Sequence, residues 1–517
     1  MQKIIKQPWF YLLIIVSAVV LFFFRQLKYP AFNLIDDGYS LFIAHELHQD
    51  YSLDNWQENL VEKEVAKGRL RPGYYLYYYL VFLAGGEEPL MYWVAQAATL
   101  FGVLVLVYYF VKEATDNQKA AIVSALIALL FPSLIENFLR LGPAESRQIL
   151  WLLLSMFFIL KVLKRKTQVF WHSFLAVLFY FWALLTKETS ILALPMLLLL
   201  PLANWLTSWK KIKKSPRFHQ QLGLILTLGL GSAIFLLMLP VGQGYSGGLS
   251  FDLTAAKESL FYVRAAFPEF HWLLVAGGLL FVRRLIDNRK GIYLAKNEFL
   301  LPLIFFGLAA AYLLFPLFWE HQLERYYFLG DMFVLIFVAS EVTYLYAEHL
   351  KKKLEHRSLL IVAGLLILIT NFAFLPSQLN PSHLITRFHF NRQTWYEQYQ
   401  YSYALVAYLQ NQVKQNSKIF MSFNDYEVIY EVGLYASRFS EREIVVFNEN
   451  QKASDNFGLP YLYSENVLEG FRNTDEQAIL IKRGEPEESS VVLWPADDIL
   501  RDSNQVWSIV EIGRAHV

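Results

Sequence analysis

Ile35-Asp36-Asp37-Gly38-Tyr39-Ser40-Leu41-Phe42 follows closely on the apolar run Trp9–Phe24. A charge-free run of this kind reads as a membrane-spanning helix. Lys3 and Lys6 precede it and no small-residue cleavage site follows it, so it reads as an uncleaved span rather than a signal peptide. Two adjacent carboxylates therefore stand at the edge of a membrane helix, ahead of a short helical pattern of Tyr39, Phe42, Ile43 and Leu47. Carboxylates this near hydrocarbon are costly unless they face a watered, protein-lined cavity or have a chemical task. Asp37 is also placed to N-cap the helix beginning at Gly38, with Asp36 favouring the same dipole end. Capping and chemistry are compatible. Helical neighbours point about 100° apart, so one carboxylate is a candidate general base and the other supports it.

Composition agrees with a membrane protein. The 517 residues are 55% apolar and 18% charged, a depletion of charge that suits contact with lipid. The net charge of +1 provides no bulk field for nucleic acid, which is not expected as a partner. There is no cysteine, which removes disulfides, thiol chemistry and thiolate metal sites together. Asn380-Pro381-Ser382 has proline inside its Asn-x-Ser pattern, so glycosylation of the chain is not expected.

Basic clusters flank the later apolar runs: Lys112 and Lys119; Lys161, Lys164, Arg165 and Lys166; Lys210, Lys211, Lys213, Lys214 and Arg217. Arg283, Arg284, Arg289, Lys290 and Lys296 form a fourth, and Lys351–Lys353 with Arg357 a fifth. Placing all of them inside predicts about eleven spans with a cytoplasmic N-terminus and an outer C-terminus. The expected spans are 8–25, 89–111, 120–138, 148–162, 169–186, 189–207, 220–240, 271–286, 298–317, 326–348 and 358–375. Pro72–Ala84, with its Tyr-Tyr-Leu-Tyr-Tyr-Tyr run, is short for a span and reads as an interfacial helix with tyrosines at headgroup level.

The fold class expected is thus an α-helical polytopic membrane protein with a C-terminal extracytoplasmic α/β domain. Residues 1–375 form the membrane domain, with a first outer loop over 26–88. Residues 376–511 form the outer domain, with strands at Lys418–Ser422, Glu443–Phe447 and Ala478–Lys482 and a helix at Asp425–Ala436. Ile512-Gly513-Arg514-Ala515-His516-Val517 matches a translated sequencing adapter, so 512–517 is expected to be an artefact and the natural chain longer.

This topology gathers Asp36-Asp37, Arg69, Arg71, Arg140, Glu145, Arg147, Lys187-Glu188 and Glu320–Arg325 on the outer face, nearly all at helix ends. Any one of Arg71, Arg140, Arg147, Lys187 and Arg325 can be read as a snorkelling headgroup anchor. Together they offer what a departing phosphate or pyrophosphate needs, arginine as a bidentate fork and lysine as a point charge. Glu145 either pairs with Arg147 or orients an acceptor. Gly242-Gln-Gly244-Tyr-Ser-Gly247 follows a membrane helix rather than a strand, so its dinucleotide pattern is set aside. Gly229 and Gly231 read as close helix-packing positions. His45 and His48 have no third ligand in view and read as interfacial polarity rather than a metal site.

Several of these stretches carry a resemblance. The acidic pair Asp36-Asp37 after the first span, Arg71-Pro72-Gly73-Tyr-Tyr, Arg140-Leu-Gly-Pro-Ala-Glu145, Leu-Leu-Thr-Lys187-Glu-Thr and Glu324-Arg325-Tyr326-Tyr327 occur in order. Over roughly residues 8–375 the chain resembles polyprenyl-phosphate-sugar-dependent glycosyltransferases of the GT-C fold, the protein O-mannosyltransferases and lipid A aminoarabinose transferases. The resemblance implies an inverting transfer of a mannose-like hexose or related pentose to a protein or a cell-envelope glycan or lipid. It implies Asp36 as base, with Asp37 second, and Arg71, Arg140, Lys187 and Arg325 with Tyr326 at the carrier phosphate. It implies no metal. The absence of glycosylation sequons and the short loops point to a bacterial plasma membrane as the location. The family often has Asp-Glu where this chain has Asp36-Asp37, and Lys-Pro-Pro where it has Arg71-Pro72-Gly73. Two other classes compete. A transporter or flippase for a lipid-linked substrate would want outward charges too, but no internal repeat and no charge deep within a span is read here. A non-catalytic scaffold would leave the Asp pair as a cap tolerant of substitution.

Overall fold

The computed structural model describes residues 8–30, 43–44, 46–66, 69–86, 88–164, 168–212, 216–239, 257, 277–279, 281–282, 297–318 and 324–346, with five strands between 418 and 512. The helices are α1 (Pro8–Phe22), α2 (Pro72–Gly85), α3 (Pro89–Thr115), α4 (Gln118–Ala128), α5 (Pro132–Phe138) and α6 (Glu145–Lys164). They continue with α7 (Val169–Thr186), α8 (Leu194–Ile212), α9 (Pro216–Met238), α10 (Asn297–Leu314) and α11 (Phe328–Leu345). Among the described residues seven helical segments are long and apolar enough to cross a membrane, and Trp9–Phe22 and Gln118–Ala128 are shorter apolar helices. The chain is a multi-pass membrane protein. Its expected spans at 271–286 and 358–375 lie largely or wholly outside the described residues.

Long α3 is the axis of the bundle and packs on α1, α4, α6, α10 and α11. Its neighbour α11 is enclosed by protein: Phe328, Met332, Phe333, Ile336 and Phe337 are all fully buried. At the periphery, α9 buries Leu224, Leu228 and Phe235 and exposes Leu226, Leu230, Ile234 and Leu237. Such a stripe of large apolar side chains is what lipid, not water, would solvate. Within α9 the two glycines differ. A Cβ on Gly231 would strike the Phe181 ring, whereas Gly229 has open space, so only Gly231 is a packing position.

One end of the bundle gathers the first basic clusters. The α3 chain ends at Asp116 in a left-handed turn, φ 51°. Asn117 then caps α4, its Oδ1 accepting from the Lys119 and Ala120 amides at 3.0 and 3.1 Å. Lys164 at the end of α6 pairs with Glu113 of α3, and Lys161 lies over the Tyr109 and Phe157 rings. The starts of α2 and α6, the end of α7 and the start of α11 converge elsewhere, and the candidate residues collect there.

The expected span 120–138 is two helices, because Pro132 cannot donate to the ladder and the chain turns at Leu129–Phe131. The α2 tyrosines do not face headgroups: Tyr74, Tyr75, Tyr78 and Tyr79 are all buried against protein. Their hydroxyls account for this, since Tyr74 donates to Gly142 O at 2.5 Å, Tyr78 to Leu141 O and Tyr75 to Glu64 Oε1 at 2.7 Å. Nor is the membrane core free of charge. Asp331 and Glu341 are buried in α11, where protein rather than lipid surrounds them.

Beyond the membrane part, β1 (Lys418–Phe423), β2 (Ile444–Asn448), β3 (Ala478–Arg483), β4 (Val491–Val492) and β5 (Trp507–Ile512) form one sheet in the order β2-β1-β3-β5-β4. The first three run parallel, with Ile419 opposite Ile444 and Ile479. Strands β5 and β4, which periodicity did not reveal, extend the sheet: β5 pairs antiparallel with β3, Ile512 opposite Ala478, and β4 pairs antiparallel with β5 at the edge. The expected helix at 425–436 lies outside the described residues.

Candidate functional site

Two ion-pair centres are built where α2, α6, α7 and α11 meet. The first begins with Arg71 at the N-cap of α2. Its Nε donates to Glu64 Oε2 at 2.9 Å, and Glu64, fully buried, also accepts from the Tyr75 hydroxyl. Arg71 lies 5.3 Å over the Tyr74 ring. Burial pushes its guanidinium down, but Glu64, Tyr75 and Glu188 together raise it well above the ordinary arginine value. Gly73 lets this helix start close to α7: an added Cβ would stand 3.0 Å from the Leu185 backbone carbon. A glycine in place of the family's second proline is therefore explained by packing.

The second centre is Glu145 with Lys187. Glu145 opens α6, where the helix dipole favours a carboxylate. Lys187 caps α7 in extended backbone, φ −156° and ψ 126°, before the 3₁₀ turn Glu188–Ala193. That break aims its ammonium at Glu145, with which it forms a salt bridge between side chains only 13% and 5% exposed. Lys187 also lies 4.8 Å over the Tyr326 ring, and Arg325 5.4 Å over the same ring. Arg325 is within electrostatic reach of Glu145. The Glu324–Tyr327 turn that carries them is held from α5: Asn137 Nδ2 donates to Arg325 O at 3.2 Å, and Ser133 donates to Asp331 at 2.5 Å.

The loop between α5 and α6 is fixed from beneath. Arg147, 1% exposed, donates from Nη1 to Leu141 O and Pro143 O, both at 2.7 Å, and lies 4.8 Å from the Tyr77 and Tyr78 rings. Arg140 pairs with Glu136 at 3.5 Å, while Gln96 Nε2 donates to its carbonyl at 3.0 Å. Glu145 thus pairs with Lys187, forty-two residues on, and not with nearby Arg147.

A small cavity of ≈ 20 Å³, opening to solvent, is lined by Glu145, Gln148, Lys187, Tyr312 and Tyr326 among others. Of the nominated residues it brings together Glu145, Lys187 and Tyr326, with Arg325 adjoining. Arg71 stands beside Glu188, one residue from Lys187. Arg140 and Arg147 serve the loop leading to Glu145. Asp36 and Asp37 lie outside the described residues. Sequence reasoning missed Glu64, Gln148, Thr189 and Tyr312. Glu64 sits in a charged stretch that reads as a solvated face, and the others sit in or beside apolar helices whose periodicity reports burial only. Among the described residues no cluster of three His, Asp or Glu is arranged to hold a metal ion.

No protein-family model and no curated protein matches the chain by sequence. Among solved structures, it is similar to ArnT from Cupriavidus metallidurans in the apo state, with a TM-score of 0.51, 12% identity, and 96% of this chain and 97% of that one covered. ArnT from the same organism bound to undecaprenyl phosphate aligns at a TM-score of 0.49 and 11% identity, over 97% and 98% of the two chains. The apo likeness bears on the fold: the chain has the GT-C architecture that its motifs imply.

Proposed function

We propose that the protein is an integral-membrane inverting glycosyltransferase that moves a sugar, a mannose-like hexose or related pentose, from a polyprenyl-phosphate carrier. The acceptor is a protein or an envelope glycan or lipid on the outer face of the plasma membrane, with the C-terminal α/β domain on that side. One observation supports this reading above others: a cavity at the convergence of helix ends, walled by a buried Glu145–Lys187 pair with Arg325 adjoining and Arg71 nearby. Lysine and arginine side chains at the boundary of an apolar bundle, held ready by buried carboxylates, suit a lipid-borne phosphate.

In this reading the Asp36 carboxylate takes the proton of an acceptor hydroxyl as its oxygen bonds to the anomeric carbon. The bond from that carbon to the phosphate oxygen breaks, and polyprenyl phosphate departs. Lys187, Arg71 and Arg325 offset the charge growing on that phosphate. Asp37 supports Asp36, and Arg140 and Arg147 act through the loop that presents Glu145. Labelled sugar transfer from a panel of polyprenyl-phosphate donors in proteoliposomes tests this. Wild type should consume one donor, Asp36→Asn should consume none, and Lys187→Met should lose about 10²-fold or more. Binding of lipid-linked sugar without consumption by wild type would overturn the reading in favour of a carrier.

A further inference from the structure

Gln148 lies one turn after Glu145 on the same face of α6, is 1% exposed and lines the cavity. Its Nε2 donates to Thr189 Oγ1 at 3.0 Å and to Ser190 Oγ at 2.9 Å. The second bond determines which way the amide faces. The Ser190 hydroxyl proton is directed to Ala183 O at 2.8 Å, so Ser190 Oγ can only accept and the group against it must be the NH₂. The amide oxygen is then the end left over, and Gln148 Oε1 is buried without a hydrogen-bond partner. Buried acceptors of this kind are rarely left unpaired, and one in a cavity wall is a place for a ligand donor to dock.

We propose that Gln148 Oε1 accepts a hydrogen bond from a hydroxyl of the carrier-linked sugar and so sets which sugar is used. The proposal rests on the glycosyl-transfer reading above. Around it the same cavity presents the rings of Tyr312, Phe315 and Tyr326, which suit the C–H face of a pyranose or furanose. Lys187 occupies the charged side, where the phosphate would lie. The amide itself is locked from behind by Thr189 and Ser190, so it is preorganised rather than adaptable.

The test compares kcat/KM for the accepted donor with that for its monodeoxy analogues, in wild type, Gln148→Met and Ser190→Ala. In wild type one analogue should fall roughly 10- to 100-fold below the parent, as expected when one buried acceptor loses its donor. In Gln148→Met the parent should drop to the level of that analogue while the analogue is unchanged. Sugar-free polyprenyl phosphate should inhibit both proteins equally, because the phosphate end does not touch Gln148. Ser190→Ala, outside the cavity lining, should lose part of the discrimination and provides the readout if Gln148→Met does not fold. Discrimination kept in both variants, or parent, analogue and sugar-free lipid all weakened alike, would overturn the assignment. A wild type that turns over no sugar lipid would instead remove the glycosyl-transfer reading beneath it.

Discussion

Replacing Glu64 by glutamine should destabilise the protein far more than loss of an exposed carboxylate ordinarily would. Glu64 is fully buried, and its two oxygens accept from Arg71 Nε at 2.9 Å and from the Tyr75 hydroxyl at 2.7 Å. Glu64→Gln keeps the shape and removes the charge, leaving Arg71 against an amide. Breaking a buried pair by removing one partner costs about 3–5 kcal/mol. The Arg71 side chain retains 16% exposure and can recruit some water, which places the expected loss near the lower end, about 3 kcal/mol. Arg71→Met should cost at least as much, since it strands the fully buried carboxylate. The double variant should cost less than the two together, with a coupling of about 2–3 kcal/mol. Denaturant unfolding in mild detergent, followed by tryptophan fluorescence, measures all three. The cation also predicts a pH result. Its folded value is raised, so its contribution is complete below the unfolded arginine value and is lost only as pH rises through the higher folded one. The Arg71→Met penalty should therefore be the same at pH 7 and pH 9. Single-variant losses below about 1 kcal/mol, or additivity within about 0.5 kcal/mol, would refute the pairing argument.

Arg147→Lys should lower transfer while leaving donor affinity nearly intact, because a lysine cannot reproduce the fork on Leu141 and Pro143 or the contact with two tyrosine rings. A kcat/KM split with unchanged KM checks it. Gly73→Ala should destabilise by about 1–3 kcal/mol, since its Cβ meets the Leu185 backbone and not a yielding side chain. Thermal unfolding of the purified protein measures that. Lys164→Gln should change stability by no more than about 1 kcal/mol, although it removes an ion pair, because Lys164 is 40% exposed. A loss as large as that of Glu64→Gln would show that exposure does not govern these pairs.

Helix positions along this chain were legible because lipid imposes length and apolarity on each crossing element. The span expected at 169–186 is α7 to the residue, and 298–317 falls within the helical stretch from Asn297 to Phe318. Strands at Lys418, Glu443 and Ala478 were visible as short apolar runs, while the two-residue β4 is too short to show a period. The Lys187-Glu188 hairpin and Arg325-Tyr326 were legible too, since charge at the end of an apolar helix stands out.

Pairing was not legible. From sequence alone Glu145 has Arg147 two residues away and no reason to prefer Lys187, yet residues two apart on a helix do not face each other. The bundle sends Arg147 down onto loop carbonyls and brings Lys187 from the end of another helix. Neither Glu64 nor Gln148 stood out, one lying in a charged stretch and the other in an apolar helix. Their meaning comes from what lies across from them: Arg71 and Tyr75 for one, a cavity and two hydroxyls for the other. The sequence by itself determined the membrane class, most helix positions among the described residues and which of their charges lie at helix ends, because those depend on local composition against a fixed solvent. Which charges face one another, and which polar group is left without a partner, only the tertiary structure decided, because contacts between distant helices are set by packing that no local period encodes.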